Sequence, residues 1–477
     1  MSAVAIQYDD KSAQSILDFA RKLLGKSVHS LYPTAKYDQR GNKGGLGQVV
    51  EKVHFGYENN SNSEPDFPKA GVELKCTPLK EICDGSMLSK ERLVLNVIDY
   101  VEEAKKTFET SSFSKKNALL LLMFYLHVVG TDNLDFIFRI IRLWSIPKED
   151  MKIFMDDWAV IHEKIMKGLA HEIHEGDTLY LAACTKGEKK GKNLREQPYS
   201  DIKAPQRAYS IKSAYLNQIV LDSLTHPEMI SGLVMTAKQI ADIKKKQAEF
   251  GNIVRKQSDY RNDETFEQYV TRRFNKFAGK SVSEIEKTLG VRIPDSPKAM
   301  SYALCRAILG VKAQKIAEFE KAGVSLKTVR LEENGNLKES MSFSQLKYDE
   351  IINEDSWENS AWYDIVTHRF FFVVFRKKKY GTDKDAVLER AFFWAIPSRD
   401  LLECKRLWSD TCKKVRKNDY GNFIRQSESD VCHIRPKARN ASDVACTPQG
   451  GTARKLCYWF NREYVLNQIL KRRMGEA

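Results

Sequence analysis

The sequence lacks several features that would define its class. Its nine cysteines are scattered, and no two form a Cys-x-x-Cys pair, so neither a disulfide framework nor a zinc site is indicated. It contains no Gly-x-x-x-x-Gly-Lys-Ser/Thr motif, so nucleotide hydrolysis is not expected. The longest apolar run, residues 118–130, is interrupted by His127 and is shorter than the roughly 18 residues that a membrane-spanning helix needs.

A secretory signal is also missing, because no basic start is followed by an apolar run and a small-residue cleavage site. We therefore expect a cytoplasmic protein with no membrane partner. The 477 residues, of which 42% are hydrophobic and 29% charged, suffice for two or three ordinary cores. With 77 Lys and Arg against 63 Asp and Glu, the net charge is +14, which makes a polyanion the first partner to consider.

The chain repeats itself at a spacing of about 250 residues. Residues 69–76, Lys-Ala-Gly-Val-Glu-Leu-Lys-Cys, are echoed at 321–328 by Lys-Ala-Gly-Val-Ser-Leu-Lys-Thr. Four more pairs of segments match in the same order: 25–28 with 279–282, 108–111 with 357–360, 144–147 with 394–397, and 216–219 with 466–469. The repeat predicts two copies of one fold, at residues 1–230 and 268–477, joined by a charged helical connector at 231–267.

Each copy alternates β-rich runs with amphipathic helices. Residues 71–77 and 118–129 are typical of strands, whereas residues 12–24, 47–53 and 151–166 have apolar residues at helical spacing. The pattern predicts an α/β fold in which a mixed sheet is flanked by helices.

The most informative chemistry lies in residues 64–77. On a strand that begins near Gly71, Glu73 and Lys75 point to the same face. A hairpin-like return of the preceding segment would bring Asp66 beside Glu73. Two adjacent carboxylates repel each other unless a hard cation such as Mg²⁺ neutralises them, and such an ion promotes phosphodiester hydrolysis.

The second copy keeps the lysine of this group, as Lys327, but loses a carboxylate. Glu318 occupies the position of Asp66, and Ser325 that of Glu73. A Glu/Lys pair on a strand is usually only a solvated face. The asymmetry between the copies instead favours one working site and one that has lost its chemistry.

The spacing Asp66-x6-Glu73-x-Lys75 resembles the PD-(D/E)xK nuclease signature. The surrounding order is similar to that of the MutH family, which comprises a mismatch-repair nicking endonuclease and restriction enzymes that act at GATC. The segments that carry this resemblance are 43–51, 65–67, 71–78, 109–116 and Trp144-x2-Pro147. It covers most of residues 20–225 and, more faintly, 279–470.

The resemblance implies two tandem copies of the restriction-endonuclease-like fold. It implies a Mg²⁺-dependent type II restriction endonuclease of a restriction–modification system, making double-strand breaks in GATC DNA. The residues implied as catalytic are Asp66, Glu73, Lys75, Glu51 and Lys116, with Asp66, Glu73 and Glu51 as metal ligands. In the second copy Cys305 stands for Glu51, so that copy is expected to be inactive and to bind a second DNA site as an allosteric effector.

Loops beside the cleft are implied to contact DNA. In the first copy these contacts involve Lys43, Thr185 and Lys186, and a hairpin-like stretch that includes Tyr209 and Lys212, with Tyr209 near an adenine. The family's Arg-Pro-Lys-Ala loop is absent from the first copy but occurs at residues 435–438. Arg435 and Lys437 are therefore expected to bind DNA in the second copy.

Two other functions remain open. One is a strand-nicking repair endonuclease of the same family, which would depend on partner proteins. The other is a non-catalytic DNA-binding protein built from two inactive nuclease folds. For the restriction enzyme, a palindromic target predicts a transient homodimer on DNA, since each strand needs an active site.

Overall fold

A computed structural model describes residues 8–36, 45–57, 64–82, 85–187, 193–230, 237–440 and 442–471. The chain forms two compact units. Unit 1 comprises Met1–Tyr260 and Ala313–Gly323, and unit 2 comprises Arg261–Lys312 and Val324–Ala477. Unit 1 therefore takes in most of the expected connector and a short segment from the second half. In the described residues no helix is both long and apolar enough to cross a membrane.

The helices and strands follow in chain order. The helices are α1 (Ala13–Ala20), α2 (Val28–Leu31), α3 (Gly45–Val49), α4 (Tyr100–Glu103), α5 (Ser112–Lys116), α6 (Met151–Met166), α7 (Ser213–Ser223), α8 (Ala237–Ala248), α9 (Phe266–Asn275), α10 (Val282–Leu289), α11 (Pro297–Leu309), α12 (Ala317–Ala322), α13 (Tyr348–Ile351), α14 (Ala361–Val366), α15 (Ser398–Arg416) and α16 (Arg462–Lys471). The strands are β1 (Val72–Glu81), β2 (Met87–Ser89), β3 (Leu93–Val97), β4 (Leu119–Leu126), β5 (Ile137–Trp144), β6 (Leu181–Thr185), β7 (Leu194–Gln197), β8 (Ser200–Pro205), β9 (Arg207–Ile211), β10 (Phe250–Gly251), β11 (Lys315–Ile316), β12 (Ser325–Leu331), β13 (Met341–Gln345), β14 (Phe370–Arg376), β15 (Val387–Trp394), β16 (Cys432–Pro436), β17 (Val444–Cys446), β18 (Thr452–Arg454) and β19 (Leu456–Phe460).

The main sheet of unit 1 has the strand order β2-β1-β4-β5. Strand β1 runs parallel to β4, and β5 is antiparallel to β4. Their register puts Glu73 opposite Leu120 and Leu120 opposite Trp144, with a bulge after Phe124. The strands expected at 71–77 and 118–129 are confirmed. Apolar residues of α1, α3 and this sheet form one core cluster, which anchors the strand that carries Glu73.

A second sheet of unit 1 has the order β3-β9-β6. Strand β9 lies in its centre, and all five of its residues are buried. Of the expected hairpin-like stretch at 208–212, residues 208–211 lie in this central strand, which is antiparallel to its neighbours on both sides. Lys212 follows as the N-cap residue of α7.

Helix α6 has the bounds expected from its apolar stripe, and it carries a buried acid, Asp157, toward β6. The Asp157 carboxylate accepts hydrogen bonds from the backbone N–H groups of Leu179, Tyr180 and Leu181 at 2.7, 2.6 and 2.9 Å. Burial raises the pKa of this carboxyl to about 7, and the hydrogen bonds oppose that rise. The acid therefore fixes the segment that enters β6.

Replacing Asp157 by alanine is expected to lower the free energy of unfolding by about 3 to 5 kcal/mol, because buried N–H groups lose their acceptor. Urea unfolding followed by circular dichroism measures this change. Glu163→Ala, an exposed position on the same helix, is the control and should change stability by less than about 0.5 kcal/mol. Equal losses in both variants would contradict this role for Asp157.

Unit 2 contains a sheet of order β12-β14-β15 and another of order β13-β19-β16. In the first sheet β12 is parallel to β14, and β15 is antiparallel to β14. Ser325 lies opposite Phe370, Phe370 lies opposite Trp394, and a bulge follows Val374. A separate apolar cluster fills this unit.

Candidate active site

A tight return of the chain before β1 positions Asp66. The N–H of Phe67 donates to the carbonyl of Val72 at 2.9 Å, and the N–H of Val72 donates back at 3.2 Å. Gly71, with a φ of 67°, provides the left-handed backbone conformation that the return requires. The hairpin-like geometry expected from the sequence is confirmed.

The return brings the Asp66 and Glu73 carboxylates together. The backbone N–H of Asp66 donates to Glu73 Oε2 at 3.0 Å. The N–H of Leu74 donates to Asp66 Oδ2 at 2.9 Å. Each carboxylate is thus held by a backbone group from the other's segment, which fixes both at the start of β1.

Two lysines face the same acid. Lys75 Nζ lies 2.5 Å from Glu73 Oε1, and Lys116 Nζ at the end of α5 lies 3.8 Å from that oxygen. The Glu73 side chain is only 2% exposed, so these ammonium groups supply the positive charge that a buried carboxylate requires. Sequence alternation correctly predicted that Glu73 and Lys75 share a face.

A third acid, Glu51, joins the site from the π-helical turn Val50–Phe55 that continues α3. The pKa of Glu51 is raised to about 7, first by burial and then by the Asp66 charge, against the lowering effect of Lys75. Burial likewise raises the pKa of Glu73, against the opposing effect of Lys75. When ionised, these acids repel one another.

The raised pKa of Glu51 predicts how the metal-free protein responds to pH. Between pH 4.5, its ordinary pKa, and about pH 7, Glu51 keeps its proton in the folded state but loses it in the unfolded state. The contribution of protonated Glu51 to the free energy of unfolding is therefore fully present below its ordinary pKa. It is lost as the pH rises through about 7. In chelator at about pH 8, Glu51→Gln should raise the Tm by about 2 to 4 °C, and at about pH 5 the difference should vanish.

Thermal unfolding across that pH range measures the effect. Glu91→Gln, at an exposed position, is the matched control and should leave the Tm unchanged at every pH. A Glu51→Gln variant whose Tm falls at the higher pH would contradict the assignment of Glu51 to the acidic group.

Tyr57 is a residue of this site that the sequence reasoning missed. Its hydroxyl is buried and has no hydrogen-bond partner among the described residues. Burial raises its pKa, and the charges of Asp66, Glu51 and Glu73 raise it further. No motif marks this tyrosine, although its position two residues after the π-helical turn that carries Glu51 is a local signal that could have found it.

The structure corrects two of the expected DNA contacts. Tyr209 is fully buried, and its hydroxyl donates to Glu103 Oε1 at 2.9 Å, so it cannot face a base in this conformation. Lys212 is buried as well, and its Nζ donates to the carbonyl oxygen of Thr178. The structure contradicts both predictions: Tyr209 lies in the covered central strand β9, and Lys212 follows it as the N-cap residue of α7, where its side chain is buried.

The other expected DNA contacts remain predictions. Thr185 and Lys186 are exposed at the end of β6, and Lys43 lies outside the described residues. In unit 2, Arg435 and Lys437 are exposed at the end of β16. The Arg435 guanidinium lies 4.1 Å from the ring centre of Trp459, which holds it in a fixed orientation.

Comparison with known proteins identifies the family. The profile described as "DNA mismatch repair enzyme MutH" matches residues 55–157. The type II restriction enzyme Sau3AI of Staphylococcus aureus is 34% identical over 94% of this chain and 92% of its own length. The DNA mismatch repair protein MutH of Vibrio campbellii is 25% identical over 45% of this chain and 95% of its own. MutH of Actinobacillus pleuropneumoniae serotype 5b is 28% identical over 36% of this chain and 72% of its own. The chain therefore belongs to the MutH-related family of type II restriction endonucleases that includes Sau3AI.

Proposed function

We propose that this chain uses Mg²⁺ to cut both strands of DNA at GATC, with its chemistry in unit 1. The observation that carries the proposal is the turn that ties Asp66 to Glu73 beside Lys75, with Glu51 close enough for the Asp66 charge to raise its pKa. Carboxylate oxygens are the protein ligands that Mg²⁺ prefers. Two further features support a cation-binding site: the pKa values of Glu51 and Glu73 are raised, and the Tyr57 hydroxyl has no hydrogen-bond partner among the described residues.

In the proposed mechanism the acids hold the ion and the lysines act on the phosphate. Bound there, a divalent cation supplies Lewis-acid stabilisation of the charge that develops on the phosphate. Glu51, Asp66 and Glu73 would hold the ion, and Lys75, beside Glu73, would donate a hydrogen bond to the attacking water or to a phosphate oxygen. Lys116, on the other side of the same carboxylate, neutralises the approaching phosphodiester.

We propose further that the two halves are tandem copies of one fold. Both main sheets have a parallel pair followed by an antiparallel strand, and Trp144 and Trp394 occupy the same register position. In β4 the bulge follows Phe124, four residues after Leu120, the partner of Trp144. In β14 it follows Val374, four residues after Phe370, the partner of Trp394. Gly25 donates to the carbonyl of Phe138, and Gly279 donates in the same way to that of Leu388.

The second copy is proposed to be inactive, because its acids are missing or used elsewhere. Ser325 takes the register position of Glu73. The Glu318 carboxylate accepts hydrogen bonds from the N–H groups of Ile253 and Val254 at 2.8 and 3.1 Å, far in sequence from β12. Cys305, on α11, has no charge to offer.

We propose that this half, at residues 268–477, binds another GATC site as an allosteric effector through Arg435 and Lys437.

The test is digestion of a plasmid that carries GATC sites, with Mg²⁺ and no other protein. Discrete double-strand fragments that begin and end at GATC are expected. Nicked circles alone would favour the strand-nicking repair function instead, and binding without cleavage would favour the non-catalytic alternative. Because the target is palindromic, we also propose a transient homodimer on DNA, which sedimentation with and without a GATC duplex would detect.

A further inference from the structure

Lys327 is a partly buried cation of unit 2 that has no carboxylate partner among the described residues. It lies on β12 and lines a cavity of about 570 Å³. Its Nζ lies 4.7 Å from the ring centre of Phe343, a contact that only partly replaces a counter-ion. Burial and the charge of Lys437 lower the pKa of Lys327 to about 8.

The corresponding lysine of unit 1 is in a different state. Lys75 is paired with Glu73 at 2.5 Å, whereas the residue two places before Lys327 is Ser325. A buried ammonium without a counter-charge destabilises a protein, and an anion bound beside it removes that cost. The two positions that hold Glu73 and Lys75 in unit 1 thus hold an uncharged serine and a lysine in unit 2.

A second ammonium group, that of Lys437, is close enough for its charge to act on Lys327. Lys437 Nζ donates to Ser342 Oγ at 2.9 Å and to the carbonyl of Phe343 at 3.1 Å, and Ser342 lines the cavity. An ammonium has three donors, so one of them remains for a ligand. By contrast, Lys338 on the cavity wall already has a carboxylate partner, Glu332, at 3.3 Å.

We propose that Lys327 and Lys437 together bind one backbone phosphate of DNA in unit 2, without a divalent cation. The inference rests on the proposed role of this half in binding a GATC site, and it names the group that this half recognises. A phosphodiester suits the site because it carries one negative charge and oxygen acceptors for both ammonium groups. In unit 1 the Glu73 carboxylate would repel a phosphate at this position, whereas Ser325 of unit 2 carries no charge.

Binding of the full-length chain to a GATC duplex in EDTA tests the proposal. A series of duplexes, each with one phosphate replaced by a neutral methylphosphonate, is titrated against wild-type protein and against Lys327→Met. For wild type, one position should weaken binding by about tenfold, as expected for a charge-assisted contact. In Lys327→Met the same replacement should change the affinity by less than twofold. The slope of the logarithm of the binding constant against the logarithm of the salt concentration should also become shallower by about one.

Lys338→Met is the matched control, and its response to every methylphosphonate should equal that of wild type. Lys327→Met should also raise the Tm of the free protein, because a partly buried charge without a carboxylate partner is removed. Should Lys327→Met respond to every methylphosphonate as wild type does, the phosphate site is refuted. A fall in its Tm would instead assign Lys327 a purely structural role against Phe343.

Cleavage with Mg²⁺ is measured separately on the wild-type chain. Cleavage at GATC, together with a methylphosphonate response that does not depend on Lys327, would refute only the phosphate site. A methylphosphonate response that depends on Lys327, without any cleavage, would refute the proposed nuclease activity but support the phosphate site.

Discussion

Replacing Glu73 by alanine is expected to reduce DNA cleavage by at least about 10³-fold, because a ligand of the catalytic cation is lost. The variant also leaves Lys75 and Lys116 without their shared carboxylate, so its fold must be verified by circular dichroism. Glu73→Gln keeps the shape of the side chain and should lose nearly as much activity. Single-turnover cleavage of a plasmid with one GATC site gives the rate.

Unit 2 offers a matched control for this experiment. Ser325 holds the same register position on β12 as Glu73 holds on β1. Ser325→Ala should leave the rate of single-site cleavage within about twofold of wild type, since it removes no charge. Glu73→Ala activity within tenfold of wild type, or an equal loss in Ser325→Ala, would be incompatible with chemistry confined to unit 1.

Removing divalent cations is expected to have an effect of similar size. In EDTA cleavage should stop while the protein stays folded, and added Mg²⁺ should restore it. Because the ion binds the folded chain alone, Mg²⁺ at a hundred times its Kd should stabilise the protein by about 2.7 kcal/mol. The reason is that the ion relieves the repulsion among Glu51, Asp66 and Glu73.

The Mg²⁺-dependent rise in Tm identifies the residues that hold the ion. Asp66→Asn should abolish the rise. Glu318→Gln, at the corresponding place in the repeat, should keep it, although this change lowers the Tm itself by weakening the cap on Ile253 and Val254. A full Mg²⁺ response in Asp66→Asn would exclude Asp66 as a ligand.

Local sequence patterns predicted the elements that hold the candidate site. The period of two in β1 placed Glu73 and Lys75 on one face, and the spacing to Asp66 predicted the return that brings the acids together. Helix α6 was recovered with its bounds because its apolar stripe is regular. These features depend on residues close together in sequence, which is why periodicity and spacing could find them.

Features that depend on distant partners could not be predicted. Tyr209 was expected at a DNA surface, but its hydroxyl meets Glu103, 106 residues away, in a covered sheet. The segment 313–323 was assigned to the second copy, yet it belongs to unit 1, where Lys321 pairs with buried Asp150, 171 residues away. Alternation shows that a strand has two faces, but it does not show what covers each of them.

The central claim is that the acids of unit 1 hold a divalent cation and that unit 2 has lost this ability. Crystals of the full-length protein grown with Mn²⁺ and measured at the manganese absorption edge test it most directly. The account predicts an anomalous peak within coordination distance of the Asp66 and Glu73 carboxylates and none beside Ser325 and Lys327. A peak beside Lys327, or the absence of one between Asp66 and Glu73 at saturating Mn²⁺, would contradict it.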